Sequence, residues 1–103
     1  MTTRILTWNV NGLRAAIRKG LQHWLDEIKP DVVMLQEIRA RPDQLSEQWR
    51  RMDGWHAHWN PAERPGYSGT CIWSRQPIDR VEIGIDGSPD PEGRMVLARI
   101  GDL

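Results

Sequence analysis

Two runs of the chain that read as strands end in groups able to do chemistry. Asn9 and Asn11 sit at the tip of "RILTWNVNG", and Glu37 follows the apolar run "DVVML" in "VVMLQEIRA". A carboxylate at the end of a rigid element is costly to desolvate unless something compensates it. A hard cation is one compensation. Mg²⁺ accepts a thin shell of protein oxygens, keeps several waters and completes its octahedron with substrate phosphate. Neighbouring strands of one sheet would bring the three tips together. The bland alternative is an Asx turn at the asparagines and a glutamate capping a nearby helix. Spacing alone leaves both open.

The elements that must position these tips follow from periodicity. "RILTWNV" is apolar and β-prone, and it breaks at Asn11-Gly12. Leu21, Trp24, Leu25 and Ile28 recur at helical spacing, and Pro30 ends that helix. Asp31 to Leu35 reads as an interior strand. "PDQLSEQWRRM" reads as one helix opened by Pro42 and Asp43. "WHAHW" alternates, with Trp55, Ala57 and Trp59 on one face and His56 and His58 on the other, where a solvated face is the expectation ahead of a metal pair. "NPAERPGYSG" is a loop, and "TCIWS", "RVEIGI" and "RMVLARI" are further strands, separated at Gln76-Pro77 and at "DGSPDPEG". The order βαβ, helix, then strands predicts an α/β or α+β layered fold. The last strand runs almost to Leu103 without a closing helix, so the chain is expected to be cut rather than finished.

Composition bounds the class. The 103 residues form at most one domain, which at this size buries roughly 65% of its unfolded surface. Hydrophobic residues at 39% and charged residues at 27% exclude a disordered or membrane-spanning chain. Net charge is zero, which leaves room only for a local basic patch. Nearly all positive charge is arginine, a bias that a GC-rich genome explains better than phosphate binding does. Most of the tryptophans are expected in the core. Cys71 stands alone, so there is no disulfide framework or zinc cluster, and its apolar setting makes it an inert thiol. The start is not a signal peptide and no long apolar run exists, so the expected setting is cytoplasmic with no membrane partner.

"LTWNVNGLRA", "PDVVMLQEIRA" and "WNPAERPGYSGTCIWSR" together resemble the exonuclease III family of AP endonucleases, within the endonuclease/exonuclease/phosphatase superfamily. The blocks occur in that family's order, and "PEGRMVLARI" resembles its next segment. The resemblance implies a four-layered α/β sandwich, two packed mixed sheets flanked by helices, of which residues 1–103 are the N-terminal part. It implies a Mg²⁺-dependent (or Mn²⁺-dependent) hydrolase of DNA phosphodiester bonds acting at abasic sites or 3′ ends of duplex DNA. By position, Glu37 and Asn9 resemble the metal-site residues. Asn11 and Arg39 would support the metal or the phosphate, and Arg39 would orient Glu37. Arg14, Gly66 and Tyr67 resemble residues that meet DNA. Selecting an abasic site would need a pocket for a flipped-out deoxyribose.

The family's second half, with its Asp-x-Asn pair, site tyrosine and terminal Asp-His, has no counterpart here. His23, His56 and His58 do not stand in matching contexts, so no catalytic base is assigned. The resemblance implies that the chain alone is inactive and needs that missing half, or self-association, for stability. Two other readings compete. One is a related phosphoesterase acting on a phosphoinositide, sphingomyelin or RNA. The other is a truncated, non-catalytic DNA-binding or scaffold chain.

Overall fold

Parallel pairing of the first two strands sets the frame. The computed structural model describes residues 2–85 and 88–103. Strand β1 (Ile5–Asn9) runs alongside β2 (Val32–Gln36), in register from Ile5 against Val32 to Asn9 against Gln36. Parallel neighbours need a crossover, and here it is built from two short helices, α1 (Leu13–Arg18) and α2 (Leu21–Ile28). Only α2 is legible from spacing. In α1 the buried stripe is just Leu13 and Ala16, too short to show a helical period.

Strand β4 (Thr70–Ser74) pairs antiparallel with β2, and β3 (His56–Asn60) with β4, giving a mixed four-stranded sheet of order β1-β2-β4-β3. An antiparallel hairpin of β5 (Arg80–Ile83) and β6 (Val96–Arg99) forms a second sheet. Alternation along each strand divides the core in two. On one face Val33, Leu35, Cys71 and Trp73 pack against Leu13, Leu21 and Leu25 of the crossover and against Trp49 and Met52. On the other, Val32, Ile72 and Met34 pack against Ile78, Val96, Ala98 and Ile100 of the hairpin segment. The result is the expected α/β architecture, in three layers among the described residues: helices, mixed sheet and hairpin.

Several expectations are corrected. "PDQLSEQWRRM" is not one helix. A 3₁₀ turn at Pro42–Gln44 stops at Leu45, which is buried in an extended conformation, and helix α3 (Glu47–Arg51) restarts after Ser46. Burying Leu45 outweighs continuing the helix. Trp24 keeps helical spacing but is 51% exposed, because Leu21 and Leu25 take the face toward the sheet. His56 faces solvent as expected, but Nε2 of His58 is buried and has no hydrogen-bond partner among the described residues. The expected turn at "DGSPDPEG" begins with Asp86 and Gly87, which lie outside the described residues.

Trp8, on β1, is exposed as well, and the other four tryptophans are core residues. Trp73 is fully buried, and the rings of Trp49, Trp55 and Trp59 lie 6.0, 6.4 and 5.8 Å from it. Beside it, burial pushes the Cys71 thiol far above its usual range, although a backbone hydrogen bond with Leu35 pulls the other way. That thiol stays protonated and unreactive. Trp73→Ala is expected to cost about 3–5 kcal/mol of stability, and Trp24→Ala within about 0.5 kcal/mol. Urea unfolding of each variant, followed by tryptophan fluorescence, checks the contrast.

Candidate functional site

The parallel register of β1 and β2 brings their C-terminal ends to one edge of the sheet, with Asn9 opposite Gln36 and Glu37 next along. Beyond the register the two chains stay stitched. The Val10 amide donates to the Gln36 carbonyl (3.1 Å), Gly12 to Glu37 (2.8 Å) and Leu13 to Ile38 (2.8 Å). A second seam follows, in which the Ile38 amide donates to the Gly69 carbonyl (3.1 Å) and Arg39 to Ser68 (2.8 Å). Three loops remote in sequence thus share one backbone network.

This rim is conformationally unusual. Asn11, Glu37, Arg39 and Ser68 all hold positive φ, at 49°, 52°, 54° and 47°. Asparagine tolerates that region, whereas glutamate and arginine enter it at a cost of about 1–3 kcal/mol each. The cost is met by Ile38, which is fully buried between them and forces both charged side chains outward. Gly69 leaves the room, since a Cβ there would lie 2.9 Å from Ile38 Cγ1.

The side chains are arranged accordingly. Arg39 Nη2 lies 3.5 Å from Glu37 Oε2, with both side chains nearly half exposed. Arg14, on the first turn of α1, donates to the Arg39 carbonyl at 3.2 Å. Asn9 Oδ1 accepts the Asn11 amide at 3.0 Å, so the Asx turn foreseen as the bland alternative does form, at the same tip as Glu37. Among the described residues, the Glu37 carboxylate caps no helix. Asn9, Asn11, Arg14, Glu37 and Arg39 are therefore brought together directly, and Gly66 and Tyr67 join them through Ser68 and Gly69.

Tyr67 is 40% exposed, and the Arg64 guanidinium lies 5.5 Å from its ring centroid. Arg94 lies beside it too. The hydrogen bond to Glu92, the Glu92 charge and Tyr67 hold its guanidinium above the usual value, against a smaller opposing effect of burial. Between this loop and the turn at Ala40–Gln44 is a crevice of about 10 Å³, too small for a deoxyribose.

Spacing missed the support beneath the loop. Asn60, only 6% exposed, donates through Nδ2 to Asp90 Oδ2 (2.8 Å) and to the Met95 carbonyl (3.0 Å). Asp90 also accepts the amides of Arg94 and Met95, each at 3.0 Å. Burial works to raise the Asp90 pKa. The two amides, Asn60 and the Arg94 charge outweigh it and hold the carboxyl below its ordinary value. The available signal was Asp90 three residues before Gly93, a turn composition, but its partner Asn60 is 30 residues away.

A family model described as Endonuclease/Exonuclease/phosphatase family matches residues 6–102. An exodeoxyribonuclease of Bacillus subtilis is 38% identical over 95 residues, covering 90% of this chain and 36% of the relative. Recombination repair protein 1 of Drosophila melanogaster is 38% identical over 96 residues, covering 92% of this chain and 14% of the relative. Among solved structures, a 3′ phosphatase from Neisseria bound to a product DNA hairpin superposes with a TM-score of 0.79 at 32% identity. It covers 97% of this chain and 38% of that one. An AP endonuclease from Archaeoglobus fulgidus gives a TM-score of 0.77 at 29% identity, with the same coverage of both chains.

Asp90 carries an acid-range prediction. Its depressed folded pKa means that its contribution to stability is fully present above the unfolded value of about 3.9. That contribution is lost as pH falls through the folded value. Asp90→Asn should therefore flatten the acid limb of stability, read by urea unfolding from about pH 6 to about pH 2.

Proposed function

The chain belongs to the endonuclease/exonuclease/phosphatase family, and from that premise we propose that it is the N-terminal part of a DNA-repair phosphodiesterase. The activity we assign is of the exodeoxyribonuclease and AP-endonuclease kind, on duplex DNA with abasic sites or 3′ ends. Relatives named for those activities, and a structural neighbour bound to DNA, support this reading. The observation that carries it is the rim itself, where Glu37 is held outward between Asn9 and Arg39 with Arg14 alongside. A cytoplasmic setting belongs to the same proposal.

The donors at this rim suit a hard divalent cation. Glu37 offers a half-exposed carboxylate. Asn9 Oδ1 has accepted one hydrogen bond and keeps a second lone pair. Among the described residues no group of three His, Cys, Asp or Glu could hold a metal, so the shell here is thin, which Mg²⁺, or Mn²⁺ in its place, tolerates. When bound, such an ion supplies charge neutralisation at a phosphoryl oxygen and a more acidic water.

The chain's own residues do the positioning. Arg39 orients the Glu37 carboxylate, and Arg14 fixes Arg39 by bonding to its carbonyl. Arg14 and Arg64 present positive charge to a phosphate backbone, and Gly66 and Tyr67 place a rigid edge against it. None of the described residues is assigned as the catalytic base. The chain spans about a third of the Bacillus relative, so it is proposed to lack activity by itself. These same facts favour, as a second reading, a binding role for the chain in isolation.

Fluorescence anisotropy of the 103-residue chain with an abasic duplex tests the proposal. Binding should weaken with salt, and Arg14→Ala should reduce the log–log salt slope by about one across sequences. Salt-indifferent binding, or preference for phospholipid vesicles, would replace DNA with another phosphodiester substrate. Mg²⁺-dependent nicking of that duplex should be absent. Nicking that Glu37→Ala abolishes would show instead that the chain suffices.

A further inference from the structure

We infer that Asp90 is the positioning residue that sets the Gly66–Gly69 loop and, through it, the backbone that presents Glu37 and Arg39. Three donors converge on its carboxylate: Asn60 Nδ2 at 2.8 Å and the amides of Arg94 and Met95 at 3.0 Å. The turn it opens is closed by the Gly93 amide donating to the Asp90 carbonyl at 3.0 Å. This turn lies directly on the exit of β3, because a Cβ on Gly93 would sit 2.3 Å from the Asn60 carbonyl oxygen. Asp90 therefore ties the turn to the sheet rather than merely shaping it.

The turn passes that position on. Its Pro91 carbonyl accepts the Glu63 amide at 2.8 Å, and its Glu92 carbonyl accepts the Gly69 amide at 3.1 Å. Both ends of the loop carrying Gly66 and Tyr67 are held in this way. Gly69 and Ser68 then accept the amides of Ile38 and Arg39, and Glu37 and Ile38 accept those of Gly12 and Leu13. A continuous backbone path thus runs from Asp90 to Glu37 and the start of α1.

The chemistry needs a carboxylate. Asp is acceptor-only, with room on two oxygens for all three donors, whereas Asn offers one oxygen and would turn N–H toward N–H. The neighbouring arginines cannot substitute, because a guanidinium only donates: Arg64 lies over the Tyr67 ring and Arg94 pairs with Glu92.

Amide hydrogen exchange on the 103-residue chain tests the inference, comparing wild type with Asp90→Ala and with the near-isosteric Asp90→Asn. Protection should fall about tenfold or more at Glu63 and Gly69, and several-fold at Ile38 and Arg39. The centre of β4 should be unchanged. A uniform loss across the sheet, or no loss at the loop, overturns the positioning role. If Asp90→Ala fails to fold, Asp90→Asn carries the same comparison.

The functional consequence rests on the DNA-binding reading proposed above. Asp90→Asn should weaken abasic-duplex binding to the degree that Tyr67→Ala does. Local loosening with unchanged DNA binding upholds Asp90 as the positioning residue and rejects the loop as a DNA contact.

Discussion

Ile38 is bonded on both sides, its amide to the Gly69 carbonyl and its own carbonyl to the Leu13 amide, while its side chain is fully buried. Burying such a side chain is worth about 1.5–3 kcal/mol, comparable to the strain of the left-handed residues flanking it. With Ile38 driven inward, Glu37 and Arg39 must both project outward on the same short stretch. Gly69 is required by the same packing, since any Cβ would collide with Ile38. The geometry of the rim is thus decided by an apolar residue placed between its charged ones.

The charges themselves contribute little stability. Pairs such as Glu37 with Arg39 and Asp43 with Arg41 are exposed, and exposed pairs are worth about 0–1 kcal/mol. Their use is orientation. Arg14 is satisfied by a carbonyl and Arg64 lies over an aromatic face, so their charge can meet an anion. A chain of zero net charge in this way carries a local basic edge.

The two faces of the sheet serve different ends. The helix face is an aromatic core centred on Trp73, rigid enough to hold the ends of β1 and β2 in register. The opposite face is mixed. It buries Val32 and Ile72 under the hairpin segment, yet also carries Asn60, Thr70 and His58. Asn60 joins that face to the rim, through Asp90 and the turn that supports the Gly-rich loop. The sheet therefore holds the site from two directions, through the strand ends and through the hairpin turn.

The sequence by itself determined what depends on neighbours in the chain. Apolar runs marked β1, β2 and β4, and the alternation of "WHAHW" put Trp55 and Trp59 on one face, where both pack beside Trp73 while Ala57 stays exposed. The motifs around Asn9, Glu37 and Tyr67 were specific enough to reveal the family. Tertiary structure decided what depends on remote partners. It broke the 42–52 stretch at Leu45 because a core site was there to fill, and it turned Trp24 outward because Leu21 and Leu25 met the sheet. At the strand tips it closed the Asx turn at Asn9 and left the Glu37 carboxylate outward, paired with Arg39. The Asn60–Asp90 clasp was illegible for the same reason. Each residue alone reads as ordinary turn chemistry, and only folding brings a buried Asn60 within hydrogen-bonding distance of Asp90, where the bond can fix a loop.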